Sequence, residues 1–249
     1  QNEGTFKDSE VKKMAVGSCT DIGAVRKANE DSFLIDEGKK VFAVADGMGG
    51  HENGKLASNL AIDVFTSALA EFTAITEAEE LARMVAQANE AVYRYQEDIA
   101  GKIMGTTFTV AAIDGDRLHI AHIGDSRAYR IRQGAIEQLT NDHSYLAELV
   151  RLGEVERAAL EQNSRKNVLL KALGPEPVVE AQLLTESWQA GDTLLLCTDG
   201  LYNALSDAEI CRIIASCNDL QQAADRLVAA ALISNGADNM TVVLYGQDH

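Results

Sequence analysis

Proline is nearly absent from this chain of 249 residues: Pro175 and Pro177 are its two, both within Gly174-Pro175-Glu176-Pro177. A Pro-rich linker is thereby excluded, and no other stretch reads as an interdomain linker, so one large domain is expected. Basic residues are scarce, with 22 Lys and Arg against 38 Asp and Glu, which gives a net charge of −16 and a pI near 4.7. That balance excludes nucleic acid as the main partner, because phosphate backbones need a basic face. It equally excludes docking on an anionic membrane surface. No run approaches the ~18 apolar residues of a membrane helix and no signal peptide is visible, so no membrane insertion is expected. The four cysteines, Cys19, Cys197, Cys211 and Cys217, form no C-x-x-C pair. They read as reduced thiols of a cytoplasmic protein. Repeats and low-complexity segments are missing, and 46% hydrophobic with 24% charged residues is ordinary globular composition rather than disorder.

What the chain does contain is periodic. Strands are expected near 14–20, 32–36 and 40–46. A helix follows in which Leu56, Leu60, Val64 and Ala68 recur every four residues, then a second with Leu81, Val85, Ala88, Val92, Tyr95 and Ile99 on one stripe. Residues 105–139 read as successive strands, with Asp114-Gly115-Asp116 as a hairpin turn. Short helices and loops are expected over 144–170, strands near 178–186 and 192–198, helices near 206–216 and 219–233, and a last strand at 240–246. Strands and helices come in runs, which predicts an α+β fold with antiparallel sheet rather than an alternating parallel one. Residues 1–13 are polar and read as a tail.

The carboxylates fall at the ends of apolar segments. Val41-Phe42-Ala43-Val44-Ala45 runs into Asp46-Gly47, and Leu194-Leu195-Leu196-Cys197-Thr198 into Asp199-Gly200. A buried strand fixes the acid at its tip, and the glycine allows close backbone approach. Asp125 follows one apolar strand, Asp238 precedes another, and Glu30 and Asp31 precede the strand of Phe33 and Ile35. Any one Asp-Gly is a turn by default. If these tips converge, such a cluster needs cations to stay ionised. Oxygen-only ligands favour Mg²⁺ or Mn²⁺ over zinc, and two such ions suit phosphoryl hydrolysis.

At these residues the chain resembles the metal-dependent serine/threonine protein phosphatases of the PP2C (PPM) family in their bacterial form. The resemblance rests on seven blocks in family order. They are Arg26-Lys27-Ala28-Asn29-Glu30-Asp31, Ala45-Asp46-Gly47-Met48-Gly49-Gly50-His51, Met104-Gly105-Thr106-Thr107 and Gly124-Asp125-Ser126-Arg127. Then come Leu139-Thr140-Asn141-Asp142-His143-Ser144, Thr198-Asp199-Gly200-Leu201 and Asp238-Asn239-Met240-Thr241. The resemblance implies a PP2C-like four-layer α/β/β/α sandwich, two antiparallel sheets flanked by helix pairs, over 14–249 with a flap segment near 144–170. It implies two core metal ions, Mn²⁺ or Mg²⁺. Asp46 would bridge them, the Gly47 carbonyl would bind one, and Asp199 and Asp238 would ligate the other. Asp125, sharing Asp199, would hold a third. Arg26 would clamp the substrate phosphate, and Glu30 and Asp31 would orient metal-bound water from the outer shell.

The activity so implied is hydrolysis of phosphoserine and phosphothreonine in proteins by a metal-activated water. The implied partners are phosphorylated proteins and a cognate bacterial Ser/Thr kinase of eukaryotic type. A Cys-x5-Arg phosphate loop and a Gly-Asn-His-Glu block, marks of other phosphatases, are both missing. His51 and the Asp142-His143 pair read as structural, and His119 and His122, on opposite faces of one strand, are excluded as joint ligands of one ion. Two alternatives are carried: an inactive binding module, and a phosphohydrolase for small metabolites or one dedicated regulator. Lys55 stands where the family often has Glu, and Gln162–Asn167 replaces a His-Pro and Arg-rich stretch near the flap. A monomer is expected.

Overall fold

The computed structural model describes residues 14–49, 52–98, 103–153, 168–234 and 236–247. The expected tail, His51, Ile99 and the middle of the expected flap with Arg165 and Lys166 lie outside the described residues. The chain runs β1 (Met14–Asp21), β2 (Asp31–Asp36), β3 (Val41–Met48), α1 (Glu52–Leu69) and α2 (Ala78–Asp98). It continues through β4 (Gly105–Thr106), β5 (Phe108–Asp114), β6 (Arg117–Ile123), β7 (Arg127–Arg132), β8 (Ala135–Gln138) and α3 (Tyr145–Arg151). Then follow β9 (Gln182–Ser187), β10 (Thr193–Cys197), α4 (Asp199–Tyr202), α5 (Asp207–Ala215), α6 (Leu220–Ile233) and β11 (Met240–Gln247).

Two sheets form, one in the order β1-β11-β10-β7-β8 and one in the order β2-β3-β5-β6-β9, with β4 added on β3. Neighbouring strands pair antiparallel throughout. The period of two along each strand divides the apolar residues among three cores. On β3, Val41, Ala43 and Ala45 pack under α1 and α2 with Phe65, Leu81, Val85 and Val92. The alternate residues Phe42 and Val44 face the other sheet, meeting Leu194, Leu196, Val243 and Tyr245. On the far side Leu195, Cys197, Val242 and Leu244 pack under α4, α5 and α6. Helices therefore cover both outer faces, and central strands are buried on both sides, which is why they read as unbroken apolar runs. This is the expected four-layer α/β/β/α sandwich. In the middle layer the Phe42 and Tyr245 rings lie 4.6 Å apart between centroids.

Local signals set several boundaries. Ser206 and Glu209 form a reciprocal capping box at the start of α5, and Asp219 caps α6 by accepting from the Gln222 amide. Gly115, at φ 56°, makes the turn between β5 and β6 as its sequence predicts.

Four expectations are corrected. The strand expected over 178–186 begins at Gln182, because its partner β6 ends at Ile123 and the ladder between them starts with Gln182 opposite His122. Asp46 is not at a strand tip: β3 continues to Met48, since Gly47 and Met48 pair with Thr106 and Gly105. Tyr95 is 39% exposed, because the buried stripe of α2 ends at Val92. The short helix α4 begins at Asp199, where a bare strand end was expected.

Candidate functional site

The strand period aims the acids. Asp46 shares the face of Phe42 and Val44, and Asp31 shares the face of Ile35, so both look into the seam between the sheets. The β2–β3 register sets Asp31 opposite Asp46 at one end of that seam. There the opposite sheet ends β10 at Cys197 and starts β11 at Met240, bringing Asp199 and Asp238 to the same end. The backbone of Asp46 is pinned three times. Its N–H donates to Thr107 Oγ1 at 2.9 Å, and its carbonyl accepts from the Thr107 amide and from Thr106 Oγ1, both at 2.9 Å.

The other acids are held individually. Asn203 Nδ2 donates to Asp199 Oδ2 at 3.1 Å, while Asp199 Oδ1 is buried without a partner. Asp31 Oδ2 accepts from Thr198 and Thr241, and its Oδ1 is likewise buried and unpartnered. Asp238 Oδ1 accepts from the Asn239 amide at 2.8 Å. Asp125 sits between β6 and β7, and its carbonyl accepts from Tyr202 OH at 2.8 Å. That Tyr202 ring is covered by the Arg127 guanidinium, 3.5 Å from the centroid, and Arg127 is locked onto Asp142 by a two-pronged ion pair.

Charge shows that these side chains share one space. Burial pushes the Asp46 carboxyl well up, and the charges of Asp31, Asp199, Asp125 and Asp238 push it further. Asp199 is pushed well up by burial, then by Asp125, Asp238 and Asp31. Burial raises Asp31 to about 6 against the pull of its two threonine donors. Burial, then Asp142, raises Asp125 to about 6. A cluster in which each acid resists the ionisation of the next fits a divalent cation. The buried, unpartnered oxygens of Asp31 and Asp199 fit one too. Among the described residues, no three His, Cys, Asp or Glu side chains are drawn onto one point as a ready-made cage.

Glycine keeps this space open at Gly47 and Gly54. A Cβ on Gly47 would strike the Gly54 carbonyl, and one on Gly54 would strike the Glu30 carboxylate. Glu30 thus rests against the bare first turn of α1. Its amide donates to Asn239 Oδ1 at 2.8 Å, and its carbonyl accepts from Ser58 Oγ at 2.6 Å. Arg26 lies on the exposed 22–29 loop, 2.6 Å from Asp238 Oδ2. Asn239 Nδ2 ties that loop down by donating to the carbonyls of Ile22 and Ala28.

Lys55 bears on the same acids. Its Nζ donates to the Asp31 carbonyl at 2.6 Å. Lys55→Met is expected to cost about 1 kcal/mol, below the ordinary range for a charged hydrogen bond because the residue is only half-buried. A melt lowered by about 2–4 °C is the outcome expected for a protein of this size, and an unshifted one would show the bond to be idle.

His122 and His143 belong to the support. Burial and the neighbouring imidazole hold His122 near 3, so it is neutral, donating Nε2–H to the Asn141 carbonyl and accepting from Thr109. His143, held at about 4 chiefly by burial, accepts from the Gly124 amide. His119 bonds Thr185 instead. The four cysteines are free, three of them buried. Two surface cavities, about 450 Å³ along α2 and about 340 Å³ beside Cys211, contain none of the clustered acids.

Thr198, Asn239 and Thr241 were missed as site residues although they stand inside blocks quoted above with Asp199 and Asp238, and so were Thr106 and Thr107, whose block holds no acid. For the first three the available signal was a hydroxyl or amide within three positions of Asp199 or Asp238.

Two antiparallel sheets packed between helix pairs, with buried carboxylates from both sheets meeting at one end of the seam, define a class of sandwich proteins with an acidic, oxygen-rich centre. Residues 24–233 match the family described as Protein phosphatase 2C. The serine/threonine phosphatase stp of Listeria monocytogenes serotype 4b (strain F2365) is 39% identical over 239 residues, covering 92% of this chain and 94% of that one. The crystal structure of the Mycobacterium tuberculosis serine/threonine phosphatase PstP/Ppp superimposes with a TM-score of 0.85 at 34% identity, covering 95% of this chain and 99% of that one. The PstP catalytic domain in complex with 2 manganese ions also has a TM-score of 0.85, at 32% identity over 95% of this chain and 99% of that one. The chain belongs to the protein phosphatase 2C family.

Proposed function

We propose that this chain hydrolyses phosphoserine and phosphothreonine in proteins with the help of two divalent cations, Mn²⁺ or Mg²⁺. The carrying observation is the cluster of Asp31, Asp46, Asp125 and Asp199 beside Asp238, in which burial and neighbouring carboxylate charge oppose ionisation of the first four. Bound divalent ions supply Lewis acidity, which lowers the pKa of water toward neutrality and offsets charge on a phosphoryl group. Asp46 and the Gly47 carbonyl would hold the pair of ions together with Asp199 and Asp238, and Asp125 with Asp199 would hold a third. Glu30 and Asp31 would orient water. Arg26 would leave Asp238 to grip the incoming phosphate, a partner that its planar fork binds at two points. Phosphorylated proteins are then the substrates and a Ser/Thr kinase the opposing enzyme. No helix among the described residues is long and apolar enough to cross a membrane, and free thiols favour work in the cytoplasm.

The direct test is phosphate release from a phosphothreonine peptide. Activity is expected with Mn²⁺ or Mg²⁺ and none in excess EDTA; turnover that survives EDTA would overturn the reading. An inactive binding module is disfavoured because every principal acid position is filled.

A further inference from the structure

We propose that Asn29, Thr20, Thr198 and Thr241 form a directed hydrogen-bond relay across the two sheets, a positioning device that turns one oxygen of Asp31 toward the cation site. The proposal rests on the reading that Asp31 serves that site.

The direction of every bond follows from counting protons. Thr198 Oγ1 accepts from the Thr241 amide at 2.8 Å, and its single proton goes to Asp31 Oδ2 at 2.8 Å. Thr241 Oγ1 gives its single proton to the same Asp31 oxygen at 2.7 Å. At the 2.8 Å contact between Thr20 Oγ1 and Thr241 Oγ1, Thr20 must therefore be the donor. Thr20 accepts in turn from Asn29 Nδ2 at 2.8 Å. The other end of that amide, Asn29 Oδ1, accepts from the Asp31 backbone N–H at 3.1 Å. The ring closes on the residue where it ends, and each donor strengthens the next.

Two features mark the arrangement as more than local packing. Thr198 holds the N-cap position of α4, yet its hydroxyl makes no bond to the helix. It is spent on Asp31 across the seam, although a capping bond would be the ordinary use. Asp31 belongs to the β2-β3 sheet, whereas Thr20 and Thr241 belong to the β1-β11 sheet, so the relay also fixes how the two sheets meet beside the acids. With both donors on Oδ2, the carboxylate cannot turn over without breaking two bonds, and Oδ1 stays buried with no protein partner.

The test compares Thr198→Val and Thr241→Val, which remove a hydroxyl at nearly constant shape, with Thr198→Ser and Thr241→Ser, which keep it. Mn²⁺ affinity is read by calorimetry, beside thermal melts without added cation. Each Val variant is expected to bind Mn²⁺ about tenfold more weakly, the low end for loss of an outer-shell partner. Each Ser variant is expected within about twofold of the parent, since its donor remains. On an Asp31→Asn background the Val changes should add nothing to the loss. Val variants that melt earlier but bind Mn²⁺ like the parent would reduce the relay to ordinary packing and overturn the proposal. If neither Val variant folds, Asn29→Ala, which opens the ring from a loop, decides: a several-fold loss of affinity is expected, and parental affinity overturns it. A parent that binds no Mn²⁺ overturns the cation reading itself, a result distinct from failure of the relay.

Discussion

Asp199→Asn is expected to remain folded and to lose at least about 10²-fold in phosphate release from a phosphothreonine peptide, on the scale seen when a group stabilising transition-state charge is deleted. The side chains are nearly isosteric, and the amide oxygen can keep the bond from Asn203. What changes is charge at the oxygen now buried without a partner. In EDTA the variant should melt at or above the parental temperature, because the change removes a buried charge that Asp125, Asp238 and Asp31 oppose. Loss of turnover with equal or greater stability separates a functional acid from a structural one. Parental turnover, or a collapsed fold, would contradict the assignment.

The second large effect concerns cation and pH together. For Asp46, Asp199, Asp31 and Asp125 the folded state raises the carboxyl above its free value. The stability contributed by such groups is fully present below the unfolded pKa of about 4 and is lost as pH rises through the folded values, about 6 for Asp31 and Asp125. Divalent cations compete with those protons. The melting temperature gained on adding Mg²⁺ should therefore be small at pH 5 and large at pH 7.5. At a concentration of 100 times Kd the gain is about 2.7 kcal/mol, or about 5–10 °C for a chain of this size. His122 and His143 act in the opposite sense, since burial lowers them to about 3 and about 4, and their stabilisation is lost as pH falls below about 6.5. Taking the difference with and without Mg²⁺ cancels their share. A gain independent of pH would mean that the cation does not meet these acids.

The layers were legible because the central strands are apolar on both faces, while α1 and α2 carry an apolar stripe and a polar back. The acids were legible because Asp46 and Asp199 each follow an unbroken apolar run and precede a glycine. What stayed hidden depends on register between strands far apart in the chain. Nothing local to Thr20 or Thr241 says that they meet. The diversion of Thr198 from its helix depends on the same docking, as does the pairing of Arg26 with an acid 212 positions away. The start of β9 was misread because it is set by where its partner β6 ends, at Ile123, which only the register between the two strands reveals.

The pairing of β1 with β11 has a consequence for the timing of assembly. Met14 lies opposite Gln247 and Asp21 opposite Met240, so the first described strand finds its partner in the last. On a ribosome, β1 waits with an open edge while more than two hundred further residues are made, and contacts of such separation form slowly. Asp238 and Thr241 arrive with that same final strand. A nascent chain can complete its helix-covered β2-β3 sheet early, but the acids of the two sheets come together only when β11 is released. Activity is therefore switched on only once β11 has been made, and a chain stopped before that strand has no half-formed hydrolase to let loose on its surroundings.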